Sequence, residues 1–207
     1  MRHAAEIATE LRERSFCLVG GYLSAEHARA IRAMYDDASL FRSRVVMEKH
    51  AFGPGEYQYF ADPVPLTIRE LRETLYAQLA PIANEWMSEM GSERRFPLAH
   101  QAFLDECFAA NQTKPTALLL RYEAGDYNCL HQDLYGPVAF PFQATIYLSA
   151  PGEEFEGGEL RFPEFGDQRY RPETGAAIVF SSSLLHEAMH VTAGTRYVLL
   201  AFLFGDH

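Results

Sequence analysis

The 207 residues carry 18 Lys and Arg against 28 Asp and Glu, a formal net charge of −10, with 48% hydrophobic and 13% aromatic residues. That length supports a sizeable core and is most simply one domain, and the acidic balance argues against a partner such as a nucleic-acid backbone while leaving open small anions, which need one local cation. Cys17, Cys107 and Cys129 form no close pair in the sequence, the start MRHAAEIATELRERS has no apolar leader core, and the longest apolar run, YVLLAFLF, is too short for a bilayer; a cytoplasmic protein with no membrane partner is expected.

The stretch from Ser15 to Ala38 reads as a short strand followed by a helix capped by Ser24, with Ile31 and Met34 on its apolar face. Two short extended pieces then flank the turn-forming Gly53-Pro54-Gly55. Ile68, Leu71, Leu75, Leu79, Ile82, Trp86 and Met90 keep a helical period, with Pro81 as an interruption and Gly91 as a stop, and a further helix is expected around LAHQAFLDECFAANQ. From Thr116 onward the period changes. The segments TALLLRYE, YNCLHQD, FQATIYLS, GELRFPE, AAIVFSS, HEAMHV and YVLLAFLF are short and rich in β-branched or aromatic residues, and Gly and Pro separate them. The expected fold is α+β: helices and a hairpin over 1–115 support a β-core of seven or eight strands over 116–207, a sandwich or small barrel.

Two motifs compete for the chemistry. His186-Glu187-Ala188-Met189-His190 matches the H-E-x-x-H signature of zinc hydrolases, in which histidines four apart share a helix face and the Glu acts as base. Here the motif interrupts a run of strands, and only Asp206 and His207 follow it as further ligands. In LHQDLY, by contrast, His131 and Asp133 are two apart, so on a strand they share a face, and a histidine from a neighbouring strand would complete a two-His-one-carboxylate set with open positions on the metal. Gly157-Gly158-Glu159-Leu160, GAAIVFSSSLLHE and Arg196 follow in order.

That ordered set, LLLRYEAGDYNCLHQD, TIYLS, EGGELRFPE, GAAIVFSSSLLHE and VTAGTRYVLLAF, resembles the catalytic core of the Fe(II)/2-oxoglutarate-dependent dioxygenases, in particular the prolyl-4-hydroxylase-like branch. The resemblance covers about the last 90 residues well and the first 115 loosely. It implies a double-stranded β-helix, of jelly-roll or cupin-like type, with His131, Asp133 and His186 as metal ligands. It also implies Arg196 on the distal carboxylate of 2-oxoglutarate, Tyr147 against the same carboxylate, and Tyr122 near metal and cosubstrate. For both tyrosines the alternative is a plain core aromatic. The implied reaction hydroxylates an unactivated C–H with release of succinate and CO2, using Fe(II), 2-oxoglutarate and O2, with ascorbate as a further candidate. Asp133, where halogenating relatives have a small residue, implies hydroxylation.

His190 stands where the family often has proline. On a continued strand it shares a face with His186; the competing reading is a partly buried histidine satisfied by a backbone carbonyl. Glu187 then points away and has no catalytic role. The implied substrate is a small molecule, an amino acid or a prolyl-type peptide. Tyr57, Tyr59, Asn128 and Tyr135 are unranked candidates for the barrel mouth, and residues 50–60 are either a substrate lid or an ordinary hairpin. A zinc hydrolase and a non-catalytic cupin-like binding module are the competing functions, and the oligomeric state stays open.

Overall fold

The structure is a computed structural model that describes residues 4–134 and 136–206. Among the described residues there are four α-helices: α1 (Ala4–Arg14), α2 (Ala25–Ala33), α3 (Leu66–Glu89) and α4 (His100–Ala109). The strands before Thr116 are β1 (Phe16–Val19), β2 (Phe41–Val46), β3 (Glu56–Phe60) and the two-residue β4 (Lys114–Pro115). Those that follow are β5 (Leu118–Glu123), β6 (Asn128–His131), β7 (Phe142–Tyr147), β8 (Phe155–Gly157), β9 (Leu160–Phe162), β10 (Gln168–Tyr170), β11 (Ala177–Ser181), β12 (His186–Ala188), β13 (Val191–Ala201) and β14 (Gly205–Asp206).

Local signals account for two of the helix boundaries. The Ser24 side chain accepts the amide of His27 and starts α2. Gly91, at φ +72°, stops α3 while its amide bonds Ser88 O and the next amide bonds Met87 O, which satisfies carbonyls the helix end would leave bare. The sequence reading contains no α1. Its apolar residues Ile7, Ala8 and Leu11 are too few to mark a helix, and the element is held by tertiary contacts, with Arg12 bonding Glu85 and Glu89 of α3 at 2.6 and 2.9 Å.

Two antiparallel sheets face each other. The large one runs β1-β11-β7-β13-β5-β3-β2, with β8 also paired to β13; the small one runs β10-β9-β12-β6. This is the double-stranded β-helix expected for the second half, but the division at residue 115 is not a structural one: β1, β2 and β3 come from the first half and complete the large sheet. The structure also adds β8, β10 and the β4–β14 pair to the expected strands. Period-two alternation assigns the faces. Cys17, Val19, Ala144, Ile146, Ala177, Val179, Leu199 and Ala201 join the helical residues Leu71, Leu75, Leu79 and Ala83 in one core. The alternate positions Phe16, Tyr147, Ile178, Phe180 and Val198 meet Leu160 and Phe162 of the small sheet in another. The space between the sheets is where polar side chains can be enclosed. No helix among the described residues is long and apolar enough to cross a membrane.

Candidate metal centre

β6 and β12 are antiparallel neighbours in a register that puts His131 opposite His186, with ring centroids 4.3 Å apart. The segment HEAMH therefore begins as a strand and carries no helix. β6 ends at His131, and Asp133 reaches the same space from just beyond it, where its amide bonds Ser182 O at 3.0 Å. Asp133 is buried, at 4% exposure. Asp133 Oδ2 lies 3.2 Å from His186 Nε2, Asp133 Oδ1 lies 3.6 Å from His131 Nε2, and a ligand atom from each of the three falls within 4.8 Å of the others.

The surroundings set the protonation of these groups. His131 Nδ1 is 2.7 Å from Cys129 O, and His186 Nδ1 is 2.9 Å from Leu184 O. A carbonyl only accepts, so Nδ1 carries the hydrogen in each ring and Nε2 keeps a lone pair turned toward Asp133. Burial, then the nearness of His186, lowers the pKa of His131 against the pull of Asp133. Burial pushes the Asp133 carboxyl up, but the nearness of His186 and His131 and the Gln143 hydrogen bond outweigh it and leave the pKa below the usual value. Two neutral nitrogens and one anionic oxygen make a donor set suited to a divalent first-row metal. Gln143 Nε2 donates to Asp133 Oδ2 at 2.7 Å and orients it. The sequence reading does not include Gln143, although a signal exists: in the fully buried strand FQATIY, Gln143 and Thr145 alternate with apolar residues on the face that also carries Tyr147.

A second cluster sits beside the triad. Arg196 on β13 is 2% exposed, and its guanidinium carbon lies 5.3 Å from the Tyr122 ring centroid and 5.2 Å from that of Tyr147. Register explains the grouping, since Arg196 pairs with Tyr122 on one side of β13, and Val198 pairs with Tyr147 on the other. Arg196 Nε and Tyr147 Oη are buried without a hydrogen-bond partner, and no carboxylate among the described residues pairs with Arg196. Burial pushes both tyrosine hydroxyls up against the Arg196 charge, so they stay protonated. A buried cation and unmet polar atoms at one spot are costly unless an anion completes them. Gly157 and Gly158, both at positive φ, make the space: a Cβ on Gly158 would come within 2.9 Å of Arg196 Cδ, and one on Gly157 would collide with His190 O.

A cleft of about 50 Å³ opens on the triad, lined in part by Met47, Phe52, Tyr57, Tyr59 and Asn128. The turn after β2 is tied to β6: Cys129 N donates to Phe52 O at 2.8 Å and Tyr127 N to Pro54 O at 3.1 Å, leaving the Phe52 ring 6.2 Å from that of His131. Tyr135 lies outside the described residues. Glu187 turns outward and pairs with Arg161, as the strand reading expects. His190 departs from both expectations for it. β12 stops at Ala188 after a register shift, Met189 N bonds Glu159 O, and His190 is exposed with its ring 4.3 Å from that of Tyr127. The zinc-hydrolase pair His186 and His190 is therefore not assembled.

The match to known proteins follows the same residues. A family model described as an oxygenase, catalysing oxidative methylation of damaged DNA, matches residues 55–182, which includes His131 and Asp133 and ends short of His186. A Mycobacterium tuberculosis protein described only as uncharacterised is 43% identical over 105 residues, 51% of this chain and 45% of that one. A PKHD-type hydroxylase of Sphingopyxis alaskensis is 35% identical over 109 residues, 49% and 48% of the two chains. The chain thus spans about half the length of the curated relatives it matches. The crystal structure of a Pseudomonas putida prolyl-4-hydroxylase shares the fold, with TM-score 0.65, 17% identity and 96% of each chain covered. With the family model covering more than half of its residues, the chain belongs to this oxygenase family, and its fold is that of the prolyl-4-hydroxylase structure.

Proposed function

We propose that the protein is a 2-oxoglutarate-dependent hydroxylase in which His131, Asp133 and His186 hold Fe(II), and Arg196 with Tyr147 holds the distal carboxylate of 2-oxoglutarate. The observation that carries this reading is the unmet donor pair, Arg196 Nε and Tyr147 Oη, buried beside the His131-Asp133-His186 set. A dianionic cosubstrate supplies what both clusters lack: an anion for the guanidinium and hydroxyl, and further oxygen donors for the metal. When bound, iron, 2-oxoglutarate and O2 supply oxidation of a substrate C–H to an alcohol with release of succinate and CO2; ascorbate would serve as a reductant that maintains Fe(II).

The chain's own residues position and exclude. Cys129 O and Leu184 O keep both imidazoles in the metal-binding tautomer, Gln143 holds one carboxylate oxygen of Asp133, and Tyr122 lies against the Arg196 guanidinium. Phe52 and Met47 shield the cleft from one side, which supports reading the 50–60 hairpin as a substrate cover. The shared core between the helices and the large sheet supports reading 1–207 as one domain.

The substrate class follows the relatives' printed names in two directions. The hydroxylase names support a peptidyl or small-molecule C–H; the family description supports a lesion in DNA. The net charge of −10 favours the first, because DNA binding rests on phosphate neutralisation by cations. Anaerobic addition of Fe(II) and then 2-oxoglutarate tests the class through the visible charge-transfer band of the chelate, whose absence removes the assignment. Succinate release with a proline-containing peptide, a free amino-acid panel and alkylated single-stranded DNA separates the substrates.

A further inference from the structure

A cleft of about 330 Å³ lies outside the metal centre, between α3, α4 and residues 112–115, and shares none of its lining. Its floor holds two polar side chains that are more than nine-tenths buried, Arg72 at 4% exposure and His100 at 6%. Arg72 Nε donates to Phe202 O at 2.8 Å and Nη2 to Phe204 O at 3.1 Å. Those carbonyls take two of the five guanidinium N–H groups, and among the described residues no carboxylate pairs with Arg72. The three acids in the lining, Asp62, Glu73 and Asp105, stand at the exposed rim; Glu73 is 3.9 Å from Arg69, and Asp105 accepts from Gln101 at 2.9 Å. A cation enclosed this way normally has an anion against it.

We propose that this cleft is a second binding site, for a small organic carboxylate whose oxygens meet the Arg72 guanidinium and whose apolar body lies along Val64, Leu104 and Phe108. The apolar wall favours a carboxylate with a short hydrocarbon body over inorganic phosphate. His100 supports the arrangement from the floor. Its Nε2 is committed to Leu203 O at 2.7 Å, and burial together with the Arg72 charge pushes its pKa down to about 4, so on the floor Arg72, not His100, carries the charge, with Arg69 and Lys114 at the exposed rim. Phe108, 69% exposed at the rim, gives the apolar body a surface that otherwise faces water.

The test is an NMR titration of the 15N-labelled full chain with butyrate, with n-butanol and inorganic phosphate as controls. The amides of Gln101, Leu104 and Thr113 and the His100 ring report the cleft, so binding at Arg196 is recognised by its location. Saturable butyrate shifts at these residues are expected, with butanol about tenfold or more weaker, the equivalent of one charge-assisted hydrogen bond. The His100 pKa should rise as the anion offsets Arg72. Leu104→Trp fills the cleft without touching Arg72 and should abolish the shifts; Arg72→Gln should do so where it folds. No saturation, equal binding of butanol, phosphate in preference to butyrate, or shifts that survive Leu104→Trp would each overturn the proposal.

Discussion

Two arginines, Arg196 and Arg72, are enclosed to a similar degree, at 2% and 4% exposure; Arg196 sits midway along β13, and Arg72, on α3, reaches the chain just past its end. Their partners differ. Arg196 faces two tyrosine rings, with its Nε and the Tyr147 hydroxyl unbonded, between the two sheets. Arg72 donates to the carbonyls of Phe202 and Phe204, on the helical side, and so anchors the chain where β13 ends. A buried cation with an unmet Nε is arranged for a ligand, whereas one that bonds backbone is also part of the scaffold. Removing the first should cost binding and removing the second should cost folding.

The largest effect is expected at the triad. His186→Ala or Asp133→Ala should reduce succinate formation to background and lower bound iron while leaving the far-UV circular dichroism and the Arg72 end intact. An iron content equal to wild type in either variant removes the assigned ligands. Next comes Arg196→Ala, expected to weaken 2-oxoglutarate binding by about 2–5 kcal/mol, since it removes one partner of a buried charge pair. Its unfolding free energy should stay near wild type, and calorimetry with urea denaturation reads both.

Arg72→Met is the converse. It leaves two buried carbonyls without their donors and should lower stability by about 2–3 kcal/mol, with 2-oxoglutarate affinity unchanged. A loss of cosubstrate affinity equal to that of Arg196→Ala would erase the distinction between the two regions. The pH dependence sharpens the same point. The His100 pKa is about 4 in the fold and near 6.5 when unfolded, so between those values the unfolded chain binds the extra proton. Its contribution is complete above pH 6.5 and declines as pH falls toward 4, by roughly 3 kcal/mol at most. His100→Gln should flatten that decline in a series of urea melts. The smallest effects belong to the rest of HEAMH. Glu187→Gln breaks a partly exposed ion pair with Arg161, and His190→Ala removes an exposed ring, so each should lie within about 1 kcal/mol of wild type with iron retained.

The sequence by itself determined the elements whose signals are local. Ser24 begins α2, the apolar period from Ile68 to Met90 and Gly91 delimit α3, and short alternating segments after Thr116 mark strands. The order H-x-D, Gly-Gly, His, Arg was also legible, and with it the candidates His131, Asp133, His186 and Arg196, because side-chain chemistry and spacing are properties of the chain. What lay outside it was every choice that depends on which strands become neighbours. Gln143 reads as one polar residue in an apolar strand until the fold brings its amide to Asp133. His190 is one strand repeat from His186 on paper, yet a register shift ends β12 at Ala188 and turns it to solvent. α1 carries too little apolar surface to declare itself and is held by Arg12 against α3. Arg72 looks like any helical arginine until the end of β13 places two carbonyls against it. In each case the deciding contact joins residues far apart in the chain or rests on strand register, and neither hydrophobic period nor motif spacing encodes that pairing.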